Sequence, residues 1–375
     1  MKDDTVVITG CARTAMGGMN GALAGVSAVQ LGTEAIRAAI ARSGFAPGDI
    51  DEVIMGCVLP AGLRQGPARQ AALGAGIPAS VGCTTVNKLC GSGMQAVIFA
   101  HDQLRAGTCS VMVAGGMESM SNAPHMLLGA RQGIRLGHAE LKDHMFHDGL
   151  EDAYTGRAMG SFAQETANEY GLTREEMDAF AVLSLTRARS AIESGAFAAE
   201  ICPVTVKNRK GETIVDTDEQ PLTANLEKIP QLRAAFARDG TITAANSSSI
   251  SDGASALVLT TAAEATRRDV KPLARIVAHA RHSHEPALFT TAPTLAIAKL
   301  LPKTGWSKDE VDLFEINEAF AMVTMLAMRE LGLDEDRVNV HGGACAMGHP
   351  IGSSGSRIIV SLMHALARYG QRRGV

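Results

Sequence analysis

The 375-residue chain has few aromatic side chains, 10 Phe, 3 Tyr and one Trp, and no excess of either charge, with 35 Lys and Arg against 39 Asp and Glu. A formal charge of −4 leaves no basic stripe to neutralise phosphates. That excludes nucleic acid as a partner and leaves room only for a local basic patch. The seven cysteines form no C-x-x-C pair, so neither a zinc ribbon nor a disulfide framework is expected, and a reducing, cytoplasmic setting fits. Met1-Lys2-Asp3-Asp4 runs directly into a strand-like stretch, with no long apolar region or small-residue cleavage site, so no secretion signal is expected. The most apolar internal run, Ala319 to Met328, is far shorter than the ~20 residues that cross a bilayer, so no membrane partner is expected either. Glycine, by contrast, is abundant at 39 residues, in a chain that is 46% hydrophobic and 20% charged. This is the composition of a globular protein of one large or two ordinary domains.

Short β-branched runs alternate with segments of helical period, the pattern of α/β layering around a mainly parallel sheet. Strands are expected near residues 5–9, 52–55, 83–86, 110–114 and 256–261. Helices are expected at 27–43 and 93–106, closed by Gly44 and Gly107, where glycine suits a left-handed C-terminal turn. From about 118 to 246 the alternation gives way to Gly-, His- and Met-rich loops with two amphipathic helices, one opening at Thr173-Arg174-Glu175-Glu176, a capping box. This stretch reads as an insertion whose first part, 122–150, is a substrate lid or an oligomer contact. After Lys271-Pro272 the alternation resumes, with strands at 274–279, 311–315 and 338–340 and helices from 293, at 318–331 and at 353–369. The expected organisation is an N-terminal half of 1–117 plus 247–270, an inserted loop domain of 118–246, and a C-terminal half of 271–375. In each half a third strand enters a Gly-rich turn and a long helix, Thr84 to Gly93 and Val340 to Gly355. Two such units facing each other place both turns in one crevice at the carboxyl ends of the strands, where open α/β sheets bind ligands.

Cys90 sits at the first of these strand-to-helix turns and is followed by Gly91-Ser92-Gly93. Unpaired N–H groups and the helix dipole there favour thiolate, and the small neighbours leave the sulfur approachable. The plain alternative is a buried core cysteine. His349 lies in the second turn, His341 to Gly352, just before Pro350; it can pair with a thiol or donate to an oxyanion, or simply cap the next helix. A cysteine in one half and a histidine in the other make nucleophilic catalysis the better reading. Asn317-Glu318-Ala319-Phe320 marks another junction, where asparagine caps a helix or holds a water. No G-x-G-x-x-G follows the first strand and no G-K-[ST] occurs, so no dinucleotide or P-loop site is expected. His138, His144, His147, His282 and His284 lack ligand spacing, and no metal is expected.

On four strings the chain resembles the thiolase family: Val86-Asn87-Lys88-Leu89-Cys90-Gly91-Ser92-Gly93, Gly115-Gly116-Met117-Glu118-Ser119-Met120-Ser121, Asn317-Glu318-Ala319-Phe320-Ala321, and Gly348-His349-Pro350-Ile351-Gly352 with Ser354-Gly355. They occur in family order along nearly the whole chain. The resemblance implies a layered α/β/α/β/α fold of two similar mixed-sheet halves with an inserted loop domain. It implies an acyltransferase of fatty acid metabolism that forms or cleaves short 3-ketoacyl-CoA by Claisen chemistry, with coenzyme A thioesters as substrates and no tightly bound cofactor or metal. Cys90 is then the nucleophile, His349 its proton acceptor and later an oxyanion donor, and Asn317 the holder of a water. Ser248 corresponds to a pantetheine contact, Met159 to the acyl pocket, and Ala319 and Phe289 to its substrate-binding surroundings. Segment 122–150 resembles a loop that pairs dimers into tetramers, so a homodimer or homotetramer is implied.

Three departures from the family pattern accompany this. The family's second catalytic cysteine, the base that makes the acetyl carbanion, lies in a C-I-G-G-G string beyond the last helix. The chain ends at Gly370-Gln371-Arg372-Arg373-Gly374-Val375 before such a string, and with it are expected to go the last two strands of the second sheet and an N–H of the second oxyanion hole; Cys345 is not its equivalent. No basic residue lies between Asp218 and Leu226, which leaves the CoA phosphate to cations such as Arg233 or Lys228. Ala158 stands where a histidine is usual, and Thr290-Thr291-Ala292-Pro293 replaces a Gly-x-Gly-Pro turn; both bear on acyl-chain preference. The alternatives are a non-catalytic acyl-CoA-binding or assembly subunit of this fold, and a ketoacyl-synthase-type condensing enzyme, against which the Gly-His-Pro and Asn-Glu-Ala-Phe strings speak.

Overall fold

The computed structural model describes residues 4–208 and 211–375. Its frame is a mixed sheet built from β1 (Val6–Thr14), β2 (Glu52–Gly56), β3 (Gly82–Val86), β4 (Val111–Ser119), β5 (Ser251–Thr261) and β6 (Ala274–Arg275), in the order β6-β1-β5-β4-β2-β3. Two short segments, Gly17–Gly18 and Ile201–Cys202, pair at its margin. The expected α/β class holds, with one correction to the mainly parallel sheet. Strand β5 runs antiparallel between β1 and β4, whereas β2 is parallel to β3 and β4. The chain returns to β5 only after the long excursion through 120–250, and it enters from the opposite end.

Both faces of this sheet are covered, which is why its strands read as continuous apolar runs. Alternate residues serve opposite layers, as the two-residue strand period requires. Val111, Val113, Ala256 and Val258 face a core with α1 (Ala28–Ala41) and α2 (Pro67–Gly74). Met112, Ala114, Leu257 and Leu259 face one with α3 (Ser92–Ala106) and α8 (Ile351–Arg368). Helix α1 starts where predicted, Ser27 and Gln30 forming a capping box. Leu31 and Ile36 on its inner face are fully buried, a contribution of about 1.5–3 kcal/mol each.

The segment between β4 and β5 contains α4 (Met159–Glu169) and α5 (Arg174–Glu193), the latter opening on the expected Thr173/Glu176 box. It also carries a small hairpin, His125–Leu127 with Leu141–Asp143, around which Leu128, Leu136 and Leu141 are exposed. The later part holds α6 (Ala292–Thr304) and α7 (Ala321–Leu331).

Several expected elements of that part differ. The predicted strand 274–279 is paired only over Ala274–Arg275. Those at 311–315 and 338–340 reduce to single bridges, Leu313 with Gly374 and Phe314 with Val338. Asn339, at φ 47°, explains why no ladder extends there: its side-chain amide bonds both the N–H and the C=O of Ile316, each at 2.8 Å, where a further strand residue would sit. Helix α7 begins three residues later than predicted because 317–320 is held extended. Ser248 donates to the Ala319 carbonyl, and the buried Glu318 carboxylate accepts from Ser184, Asn339 and the Cys345 N–H. No helix among the described residues is long and apolar enough to cross a membrane.

Candidate active site

Cys90 lies between β3 and α3 in a turn held from both sides. Asn87 Oδ1 accepts the Leu89 N–H at 2.9 Å, while Ser92 Oγ accepts from Lys88 N at 2.8 Å and donates to the Leu89 carbonyl at 2.6 Å. Together these fix Leu89, a non-glycine residue, at φ 48°, a left-handed conformation that persists only where surroundings over-determine it. Cys90 follows, exposed, at the entrance to α3. On the other side, α8 begins immediately after His349-Pro350, with Pro350 as its N-cap. The two helices meet at their first turns because both carry glycine there. A Cβ on Gly93 would stand 2.8 Å from the Ser356 nitrogen, and one on Gly355 2.5 Å from the Met94 nitrogen. The Gly-rich turns are there to allow this backbone-to-backbone approach.

The result is a cleft of about 1440 Å³ lined by Cys90, His349, Asn317, Ser248, Met159, Ala319 and Phe289. All seven residues singled out in the sequence therefore share one cavity. Cys345 does not line it: its thiol points to the Glu318 carbonyl at 3.7 Å, and burial pushes its pKa far up. Neither Lys228 nor Arg233 lines it.

The electrostatics correct one expectation. Although Cys90 opens on the cleft, the protein packed around it pushes its thiol up to about 11; the residue's own N–H pulls the other way, and the Glu118 carboxylate adds a smaller push upward. A thiol pushed that way holds its proton. It needs a proton acceptor. Burial depresses His349 to about 3, with the Arg357 charge adding to it, so the imidazole is neutral.

Its tautomer follows from hydrogen-bond arithmetic. Ser354 Oγ has one proton and donates it to the Pro350 carbonyl at 3.0 Å. With that proton directed at the carbonyl, His349 Nδ1, 2.5 Å from the same oxygen and 3.5 Å from Asn317 Nδ2, donates to Ser354, and Nε2 carries the lone pair, the tautomer that proton acceptance requires. Nε2 is buried with no hydrogen-bond partner, as is Asn317 Oδ1. The backbone of His349 is held in turn, its N–H shared between the Ser249 carbonyl at 3.1 Å and Ser251 Oγ at 3.2 Å.

Sequence reasoning missed four members of the site. Ser354 was visible only as part of a string. Phe236 and Phe320 line the cleft and, with Phe289, form an edge-to-face aromatic wall, with centroids 6.2 and 6.4 Å apart; no local pattern announces Phe236. Glu118 had a signal, a lone carboxylate at the end of an apolar strand. Fully buried and pushed up to about 7 by desolvation, it accepts from Val58 N (2.9 Å), Leu59 N (3.1 Å) and Gly352 N (2.8 Å), tying the loop after β2 to the first turn of α8. Glu118→Gln removes a like charge near the thiol, so alkylation of Cys90 by iodoacetamide at pH 8 should become faster. Losing part of that N–H cage should also cost about 1–3 kcal/mol in urea unfolding. Unchanged alkylation in a folded variant would refute the electrostatic link.

Two family models cover the chain, "Thiolase, N-terminal domain" over residues 6–263 and "Thiolase, C-terminal domain" over 270–375. The acetyl-CoA acetyltransferase of Pseudomonas aeruginosa is 48% identical over 372 residues, spanning 99% of this chain and 95% of that protein. The cytosolic acetyl-CoA acetyltransferase of Mus musculus is 47% identical over 375 residues, 99% and 94% of the two chains. The crystal structure of the Bacillus anthracis acetyl-CoA acetyltransferase superposes with a TM-score of 0.96 at 41% identity, covering 99% of this chain and 94% of that one. A thiolase from Ascaris suum, solved in complex with coenzyme A, gives 0.92 at 41% identity, covering 96% and 93%. With both parts matched by family models and close to half of its residues shared with full-length relatives, the chain belongs to the thiolase family.

Proposed function

We propose that the chain is an acetyl-CoA C-acyltransferase that forms or cleaves short-chain 3-ketoacyl-CoA through an acyl-Cys90 intermediate. One observation carries this reading: an exposed thiol and an unpartnered imidazole lone pair line the same cleft. In the first half-reaction His349 Nε2 takes the Sγ proton as sulfur attacks the thioester carbonyl. The carbonyl–sulfur bond to CoA then breaks, and the departing CoA thiolate takes the proton back from Nε2. Cys90 holds the acyl group and His349 is again neutral.

In the second half-reaction Nε2 takes an α-proton of acetyl-CoA as that carbon attacks the acyl-Cys90 carbonyl; the carbon–sulfur bond to Cys90 then breaks and the departing sulfur takes the proton back from Nε2, leaving 3-ketoacyl-CoA and a neutral thiol. Asn317 Oδ1, buried and unpartnered, holds a water there, and Nε2, while it carries the α-proton, donates to the enolate-like oxygen, an oxyanion-type stabilisation. Cys345 is not the base for this step, since it lies outside the cleft lining and a base must reach its proton directly or through one water. Ser248, whose N–H and Oγ both bond the Ala319 carbonyl at 3.0 and 2.9 Å, forms with Ala319 a rigid edge for the pantetheine arm. Met159 and Phe289 border the acyl group. Residues 1–117 with 247–270 carry the nucleophile, 271–375 the histidine and asparagine, and 118–246 the cover. The exposed leucines around the 125–143 hairpin form the contact of a homodimer or homotetramer. The enzyme works in the cytoplasm with no tightly bound cofactor.

The test is mass spectrometry after incubation with acetyl-CoA. One acetyl group on the Cys90 peptide, absent in Cys90→Ser, is expected. A folded chain that binds CoA without forming the adduct would instead favour the non-catalytic acyl-CoA-binding reading.

A further inference from the structure

Away from the catalytic residues, at another part of the cleft wall, three side chains from two lobes converge. Asp102 Oδ1 lies 3.0 Å from His101 Nδ1 and 2.9 Å from His279 Nε2, and the two rings meet edge to face, with centroids 5.0 Å apart. His101 and Asp102 sit on α3, the helix that Cys90 heads; His279 comes from the extended segment after β6. His101 is buried, His279 partly so and Asp102 about half exposed. Both histidines line the cleft, so an ion can enter. The three donor atoms all lie within 4.8 Å of one another. Lys303 Nζ donates to the His279 carbonyl at 3.1 Å, fixing that backbone and leaving the ring to its partners.

We infer that His101, Asp102 and His279 form a divalent transition-metal site of the Zn²⁺ class that clamps α3 to the segment after β6. Two imidazoles and one carboxylate are the donor set of three-ligand zinc sites, whose fourth position is left to water. Ligands at about 2.0–2.1 Å from a tetrahedral ion stand roughly 3.3 Å from one another. The carboxylate oxygen already lies within a few tenths of an ångström of that separation from each nitrogen. Without the ion the same oxygen accepts two imidazole N–H bonds. When the ion enters, each ring presents the lone pair of that nitrogen, its proton leaving for the other ring nitrogen or for water, and the Asp102 carboxylate offsets one of the ion's two charges. This site is independent of the acyl-transfer chemistry. His279 stands 177 residues from Asp102, which hides the site from any spacing rule.

The test is calorimetric titration of the chelator-treated full chain with zinc chloride, alongside Co²⁺ absorption of the same protein. One ion per chain is expected, with a Co²⁺ spectrum free of thiolate charge-transfer bands and a raised melting temperature. His279→Ala and the conservative Asp102→Asn should each weaken binding by about 100-fold or more, the upper end of what even an outer-shell partner costs, while Cys90 is still acetylated. Equal zinc affinity in the parent and both variants, thiolate bands with Co²⁺, or no binding at all overturns the assignment.

Discussion

Replacing His349 with alanine is expected to slow acetylation of Cys90 by about 10²–10⁴-fold, the contribution of one positioned general base. The size follows from the protonation states. Were Cys90 a preformed thiolate beside an imidazolium, losing the histidine would mainly change its pKa. With the thiol pushed up to about 11 and the imidazole down to about 3, the proposed attack has to move the proton, and Nε2, without a partner in the same cleft, is the acceptor. The pH dependence separates the two cases. A histidine with an ordinary pKa would impose a tenfold loss of rate for each unit below about 6.5, whereas His349 stays unprotonated there, so no such break should appear between pH 8 and 5. The cost of this arrangement falls on stability. The unfolded chain binds a proton near pH 6.5 that the folded chain refuses until about 3, so stability declines as pH falls through that window, and His349→Ala should be more acid-resistant than the parent. An acetylation rate within a few-fold of the parent, or a break at 6.5, would count against the relay.

Much of this site could be read in advance, because its signals were local. A strand, a turn of small residues and a helix located Cys90, and the Gly-rich run around His349 announced a second close approach. The strand positions of the central sheet were legible for the same reason: two-residue alternation under full burial leaves long apolar runs. What stayed hidden was set by distant partners. That β5 runs antiparallel depends on where a long excursion re-enters the sheet. The pairing of Phe314 with Val338 goes no further because one Asn339 amide occupies the bonds of Ile316. What pushes the Cys90 thiol up was equally hidden: a helix N-terminus is visible in sequence, whereas the cleft around the sulfur and the Glu118 carboxylate exist only in the fold. Likewise, the free lone pair of His349 is decided by which carbonyl Ser354 chooses.

The largest stability effect should come from Arg13. Its guanidinium is fully buried, bonding Glu200 at 2.6 Å and Asp218 twice, at 2.7 and 2.9 Å, and it lies 4.8 Å from the centroid of the Phe197 ring. The bidentate geometry and the two carboxylates hold the cation charged by attraction that exceeds its desolvation penalty. Arg13→Met keeps much of the volume and strands two buried carboxylates, which should cost about 3–5 kcal/mol in urea unfolding. Adding Glu200→Gln and Asp218→Asn removes the stranded charges, so the triple variant should recover most of that loss. If the triple variant is no more stable than the single one, the deficit is packing and the ionic account fails. The network also reaches the catalytic cleft. Asp218 receives the Met16 N–H at 2.9 Å and leads into the turn of Glu219–Thr223, where Gln220 accepts from Ser249 Oγ and donates to Ser251 Oγ at 3.1 Å. Those two serines hold the His349 N–H. A charge buried on β1 is thus linked, through one helical turn, to the backbone that carries the His349 imidazole, and Arg13→Met should slow Cys90 acetylation even where the variant is still folded.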